Sequence, residues 1–170
     1  NAPACALRVD QVGKYYSRAL LFKDISFELA PGDVLAVTGW NGSGKSTLIR
    51  IIAGLIRPSS GSVSMFHEDE LVPAESRRRF IGMVAPALSL YDELTALENM
   101  VFFCKVRGVN SRVEACRNML HMVGLSEHAH KLSGRYSSGM KQRLKLAQAL
   151  IHRPPLLLLD EPGTNLDSKG

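Results

Sequence analysis

The sequence has few cysteines and no recognisable cysteine motif. Its three cysteines, Cys5, Cys104 and Cys116, form an odd and widely spaced set. This excludes a disulfide framework and offers no CxxC pair for zinc or redox chemistry. We expect Cys104 and Cys116 to be core thiols, because their surroundings are apolar with helical spacing. Such cysteine usage is typical of a reducing compartment.

The sequence also lacks a long hydrophobic run and a long run of one charge. No apolar stretch approaches the ~18 residues that are needed to span a bilayer. The sequence begins Asn1-Ala2-Pro3 and shows no charged-then-apolar signal pattern there. The net charge is +5, which fits an anionic ligand, an acidic lipid surface or nucleic acid, but a solvated surface is the favoured explanation. The basic run Arg77–Arg79 is too short for a nucleic-acid patch, so we expect no direct nucleic-acid binding.

What is present predicts an α/β domain of 170 residues, with or without an inserted subdomain. Alternation and short apolar runs predict strands at Leu7–Val9, Ile25–Leu29, Val34–Val37, Val63–Phe66 and Leu156–Leu159. Helical spacing and glycine or proline stops predict helices at Lys45–Ala53, Leu97–Val106, Val113–Val123 and about Ser138–His152. This order indicates antiparallel strands, a strand–loop–helix unit, a helical insert and a further strand of a parallel core sheet.

A glycine-rich loop stands between an apolar run and a predicted helix, and it matches the pattern G-x-x-x-x-G-K-S/T in full. Glycines let several backbone amides converge on one anion, while the helix directs its positive end to the same place. Lysine adds a charge for the β- and γ-phosphates, and serine offers a hydroxyl to Mg²⁺. The pattern predicts a P-loop nucleotide site made of Gly39, Trp40, Asn41, Gly42, Ser43, Gly44, Lys45, Ser46 and Thr47.

Two acids follow the apolar run Leu156–Leu159. A buried strand that ends in a carboxylate places it beside the phosphate loop of such a fold. We expect Asp160 to hold Mg²⁺, through water, and Glu161 to polarise the water that attacks the γ-phosphate. The alternative is an acidic turn after a core strand.

The segment Tyr136–Arg143 resembles the signature loop of the ABC ATPases, whose form is L-S-G-G-Q followed by a basic helix start. The chain keeps Ser137 and Gly139 but departs from the pattern at Tyr136, Ser138 and Met140. Leu132–Gly134 resembles the start of the motif but lacks its continuation. A serine N-cap beside a glycine would also explain the segment, and both readings can hold at once.

This resemblance runs from about Leu7 to Asp167 and implies a dimer. Two ATPase domains, identical or different, would hold two ATP molecules head to tail, with Ser137 and Gly139 contacting the nucleotide of the neighbouring copy. It also implies that Tyr16, with Tyr15 in reserve, stacks on adenine, although an aromatic residue in a strand is usually core. Asp167 matches the acid of the family's D-loop.

The resemblance implies a P-loop NTPase fold with a RecA-like core. The core subdomain would comprise 1–85 and about 153–170, and the helical subdomain about 86–152. Two departures stand out. Pro86 occupies the place of the Q-loop glutamine and has no side-chain ligand, so we hypothesise that another residue or water completes the Mg²⁺ shell. The family's switch histidine lies beyond Gly170, so the domain is expected to be C-terminally truncated, and this fragment alone to bind or hydrolyse ATP poorly.

The resemblance implies a Mg²⁺-dependent ATPase in which Lys45 and Glu161 are catalytic. It would power an ABC transporter from the cytoplasmic face of the membrane, as a peripheral partner of transmembrane subunits. Leu90–Asn99 is similar to a loop of bacterial haem-exporter ATPases. The alternatives are a soluble, ribosome-associated ABC ATPase and a nucleotide-binding fragment without turnover. A DNA-repair ATPase is disfavoured, because the helical insert shows no heptads.

Overall fold

The structure is a computed structural model and describes residues 5–110 and 112–161. Residues up to Ile81 form one compact unit, and residues from Gly82 onward form a second one. No helix in the described ranges is long and apolar enough to cross a bilayer.

An antiparallel sheet makes up most of the first unit. Its four strands lie in the order β2-β1-β3-β4: β1 (Cys5–Tyr16), β2 (Ala19–Leu29), β3 (Ser60–His67) and β4 (Glu70–Leu71). β1 pairs with β2 from Leu7 opposite Leu29 to Tyr16 opposite Ala19, and β3 pairs on its other edge. The predicted N-terminal antiparallel region is thereby confirmed.

The first unit also contains α1 (Lys45–Ile52), which confirms the helix predicted after the glycine-rich loop. Its buried side chains are Leu48, Ile51 and Ile52. Their spacing of three and four residues places them on one face, as expected for a helix that packs on one side only.

The second unit combines a two-stranded sheet with three helices. The elements are β5 (Ile81–Val84), α2 (Ala96–Arg107), α3 (Val113–Met122), α4 (Ser138–Leu150) and β6 (Leu156–Leu159). β5 and β6 pair with each other in a parallel sheet. The helices share a core in which Met100, Leu120 and Leu144 are fully buried. Cys104 and Cys116 belong to the same core, as predicted.

Local signals explain where α2 begins and ends. The Thr95 hydroxyl accepts a hydrogen bond from the Glu98 amide, and the Glu98 carboxylate accepts one from the Thr95 amide, which is a capping box. The bond from the Thr95 amide, and then a second one that the Thr95 hydroxyl donates to the same carboxylate, lower the pKa of Glu98. At the other end Gly108 adopts a left-handed conformation with φ of 66°.

Two strand predictions need correction. Val34–Val37 was predicted to be a buried strand, but the segment is irregular and its side chains are exposed, with Val34 94% accessible. No strand pairs with it among the described residues, and an unpaired strand cannot satisfy its backbone groups except with water. Leu156–Leu159 does form a strand, but only Leu158 is buried, and Leu157 and Leu159 are exposed.

Candidate functional site

The glycine-rich loop leads directly into α1. Gly44 is the N-cap of the helix and has a left-handed backbone with φ of 96°, and Gly42 has φ of 85°. Only glycine adopts such angles without steric cost. The Ser43 amide donates to the Trp40 carbonyl at 3.2 Å and closes the turn. The loop therefore folds back on itself at the positive end of the helix.

The ammonium of Lys45 lies against the backbone of the loop. Its Nζ donates to the carbonyl oxygens of Gly39 at 2.9 Å and Trp40 at 2.8 Å. Lys45 and Ser46 are half-buried, whereas Trp40 is 87% exposed. The loop thus gathers one positive charge, a hydroxyl and a helix N-terminus, which is the chemistry of a phosphate site.

The loop packs against the β1–β2 hairpin. A Cβ atom on Gly44 would lie 2.7 Å from Phe22 Cδ1 and 2.9 Å from Leu21 Cγ. Tyr16 ends β1 at the tip of this hairpin and is 51% exposed. The Nζ of Lys14 lies 5.2 Å from its ring centroid. An exposed ring at this end of the hairpin suits a stacking role better than a core role.

The remaining loop residues divide by exposure. Asn41 and Gly42 are exposed, and Ser43 and Thr47 are half-buried. Their backbone amides belong to the turn or to the first turn of α1, whose amides lack partners within the helix.

The two acids after β6 have different environments. Asp160 is 3% exposed, and its amide donates to the Val84 carbonyl of β5 at 2.8 Å. Glu161 is exposed and has φ of 50°, an uncommon value for a residue with a side chain. The turn of the backbone at Glu161 thus separates a buried carboxylate from an exposed one.

The signature-like loop lies at the N-terminus of α4. Ser137 is the N-cap, and its hydroxyl accepts a hydrogen bond from the Met140 amide at 3.3 Å. Ser137 and Ser138 are exposed, and Gly139 is half-buried. The serine cap expected from a purely structural reading is present. It leaves the Ser137–Gly139 segment accessible at the positive end of a 13-residue helix.

The similar segment Leu132–Gly134 is structural. Ser133 is fully buried, and its hydroxyl donates to the Tyr91 carbonyl at 2.8 Å. Tyr136, where the family has leucine, is also buried and donates its hydroxyl to the His128 carbonyl at 2.6 Å. Burial raises the pKa of Tyr136. These contacts fix the chain immediately before Ser137.

Pro86 lies just beyond β5 and is exposed. It lines a cleft of about 310 Å³ together with Asp92, Ser138, Lys141 and Lys145, among others. Lys145 donates to the Pro86 carbonyl at 3.5 Å. Burial, and then the charge of Lys141, lowers the pKa of Lys145.

Sequence reasoning missed three residues around the signature-like loop and the turn before it. Asn99 is 1% exposed and its amide contacts several backbone groups, while Asp92 and Lys141 form an ion pair of 2.9 Å. One signal was available: Lys141 is in the first turn of a predicted helix, where a cation is disfavoured unless a carboxylate lies nearby. Nothing in the sequence pointed to Asp92 as that partner.

Comparison with known proteins decides the family. The model of the family described as "ABC transporter" matches residues 22–164. The chain belongs to this family. Its ATP-binding domains have the fold described above: a P-loop NTPase with an antiparallel N-terminal sheet and a parallel sheet. The expected family and fold are thereby confirmed.

Individual relatives agree. The chain is 40% identical to the "Uncharacterized ABC transporter ATP-binding protein YxlF" of Bacillus subtilis (strain 168), over 96% of this chain and 55% of that protein. It is 37% identical to the "Bacitracin transport ATP-binding protein BcrA" of Bacillus licheniformis, over 96% and 53%. The chain therefore spans about half the length of these relatives.

A solved structure has the same fold. It is described as the dimeric structure of a post-hydrolysis state of the ATP-binding cassette MJ0796 bound to ADP and Pi. The TM-score is 0.78 at 30% identity, over 96% of this chain and 77% of that one. The ABC chain thus shares the fold of one subunit of that dimer along nearly all its length. Asp167, the predicted D-loop acid, lies outside the described residues.

Proposed function

We propose that this ABC domain binds and hydrolyses ATP and that the whole protein powers a transporter. The observation that carries the proposal is the phosphate loop, in which Lys45, Ser46 and the N-terminus of α1 converge. The amides of Gly39–Thr47 hold the phosphates, Lys45 neutralises the β- and γ-phosphate charge, and Tyr16 stacks on the adenine. The relatives named for transport support the wider role.

Mg²⁺ is the metal that fits the available donors. Ser46 supplies a half-buried hydroxyl and Asp160 a buried carboxylate, and oxygen donors are what Mg²⁺ prefers. Among the described residues, no group of three or more histidine, cysteine or acidic side chains is placed to hold a metal ion. Mg²⁺ commonly takes one or two protein ligands together with the substrate phosphates. When bound, the ion would neutralise charge on the phosphate oxygens.

Glu161 is the general base of the proposed reaction. Its exposed carboxylate accepts the proton of the water that attacks the γ-phosphate, while the buried Asp160 serves the metal site. Lys45 stabilises the charge that develops on the transferred phosphoryl group. The phosphate loop therefore binds the substrate, and the acid pair prepares the nucleophile.

The active unit is a dimer with a second ABC ATPase domain, either a second copy or a homologue. Ser137, Gly139 and Asp167 act across the dimer, and closure on ATP drives movement of transmembrane partner subunits at the cytoplasmic face. The dimeric ADP- and phosphate-bound neighbour supports this arrangement. The exposed Ser137–Gly139 segment provides a hydroxyl and a helix N-terminus for the phosphate of the neighbouring copy.

The test is the Glu161→Gln variant of the whole protein. We expect ATP affinity to be preserved and turnover to fall by about two orders of magnitude or more. Glu68→Gln is a matched control, because Glu68 is also an exposed glutamate with positive φ, of 51°. Near-normal turnover of Glu161→Gln would sink the assignment. Co-purification with a multispan membrane protein supports the transporter role, whereas recovery with ribosomes would favour the soluble alternative.

A further inference from the structure

Ser137 and Ser138 are exposed and Gly139 is half-buried, yet the residues on both sides of this loop are held by side-chain bonds. On the N-terminal side, buried Tyr136 is bonded to the His128 carbonyl. On the C-terminal side, Lys141 forms its ion pair with Asp92, with 2.9 Å between Nζ and Oδ1. The accessible residues therefore lie between two fixed points of the chain, Tyr136 and Lys141.

Asp92 is connected to this region in two ways. Its carboxylate binds Lys141, and its backbone carbonyl accepts a hydrogen bond from the Gly134 amide at 3.0 Å. A Cβ atom on Gly134 would lie 3.0 Å from that carbonyl oxygen, so the two chain segments are in close contact. Asp92 thus links the turn before the exposed loop to the helix after it.

The ion pair compensates a positive charge near the positive end of the α4 dipole. Lys141 lies in the first turn of α4, which has no acidic residue there. Its charge opposes the positive end of the helix dipole at the place where Ser137 and Gly139 would meet a phosphate. Asp92 draws the ammonium away towards its own loop and compensates the charge. Neutralising Asp92 would leave Lys141 free to reorient over the exposed loop.

We propose that Asp92 and Lys141 are positioning residues that fix the Ser137–Gly139 loop and the start of α4 for action on the neighbouring copy. This inference rests on the proposed function, in which that loop contacts ATP across a dimer. Neither residue belongs to the phosphate loop or to the acid pair of its own chain. The pair should consequently affect dimer closure and turnover but not the first binding of ATP.

The experiment compares Asp92→Asn and Lys141→Met with the wild-type whole protein. We expect unchanged affinity for ATP and a roughly three- to fivefold fall in kcat, as for the loss of one partly exposed ion pair. In the Glu161→Gln background, ATP-driven dimer formation should weaken by a similar factor. The charge swap Asp92→Lys with Lys141→Asp should recover most of both losses, and Lys141→Arg should lose little.

Glu28→Gln is the control for a generic ion pair, because Glu28 and Arg8 form an exposed pair of 2.6 Å in the other unit. Turnover within twofold of wild type in both Asp92→Asn and Lys141→Met would overturn the proposal, as would an equal loss in Glu28→Gln. The variant Gly139→Asp distinguishes a failure of the positioning role from a failure of the action across the dimer. If it abolishes dimer formation while Asp92→Asn does nothing, only the positioning role fails. If it also has no effect, the action across the dimer fails and this inference fails with it.

Discussion

Asn99 offers the sharpest test of how the helical unit is held together. Its side chain is 1% exposed. Its Oδ1 accepts from the Tyr91 amide at 3.0 Å, and its Nδ2 lies within 3.0–3.2 Å of the carbonyls of Tyr91, Leu94 and Thr95 and of the Ser133 hydroxyl. The two hydrogens of Nδ2 are shared among these four acceptors. Replacing Asn99 with alanine removes both donors and the acceptor of the Tyr91 amide at once.

The cost follows from which groups keep another partner. The Tyr91 carbonyl still accepts from the Ser133 hydroxyl, the Leu94 carbonyl from the Ser133 amide, and the Thr95 carbonyl from the amide of residue 99. Only the Tyr91 amide loses the partner seen in the structure. One poorly satisfied donor and the lost bonds to second lone pairs give a destabilisation of about 2–3 kcal/mol. The destabilisation would be larger if every backbone group around Asn99 lost its last hydrogen-bond partner.

Urea unfolding of wild type and Asn99→Ala measures this difference, and we expect the midpoint to fall by about 1 M. Hydrogen exchange supplies a local readout, because the Tyr91 amide should exchange faster in the variant. Asn118→Ala is the matched control: Asn118 is exposed in α3, so alanine there should be neutral or slightly stabilising. A loss below about 1 kcal/mol, or unchanged exchange at Tyr91, would refute the reasoning.

Three further changes test other features. Gly44→Ala should weaken ATP binding at least tenfold, about 1.4 kcal/mol, because the new Cβ would meet Phe22 and the φ of 96° disfavours alanine; normal affinity in a nucleotide titration would contradict this. Tyr136→Phe should cost about 1 kcal/mol for its bond to His128. Since burial raises the pKa of Tyr136, its contribution is complete below the pKa of the unfolded chain and declines as pH rises through the folded value; an identical alkaline stability profile for the variant would argue against it. Glu161→Gly should be more stable than Glu161→Ala by about 1 kcal/mol, because φ there is 50°; the reverse order in urea unfolding would exclude backbone strain at this position.

The helices of the second unit were predictable because their signals are local. Apolar spacing located α2 and α3, and the glycines at 108 and 124 indicated their ends. The Val34–Val37 strand failed for the opposite reason. A run of four apolar residues indicates that a segment suits a buried strand. A strand forms only when a neighbouring strand pairs with it, and the sequence of the segment does not indicate whether such a neighbour is present.

In the candidate site, too, the features that the sequence predicted are the local ones. The phosphate loop and the Ser137 cap depend on residues close together in sequence, so their spacing was sufficient to find them. The Asp92–Lys141 pair and the contact between Asn99 and Ser133 join residues far apart in sequence. Their partners emerge only when the loop before α2 and the turn before α4 are packed together.

The adjacent acids Asp160 and Glu161 differ in the structure because the fold gives them different environments. Two adjacent carboxylates have the same chemistry, and the sequence assigned their roles only from their order after the strand. In the folded chain the last bond of the sheet, from the Asp160 amide to the Val84 carbonyl, holds Asp160 in a buried position. The left-handed turn at the next residue then places Glu161 in solvent. A residue in such a conformation costs about 1 kcal/mol. The roles proposed for the pair, a fixed carboxylate for the metal and an accessible one for water, would account for that strain.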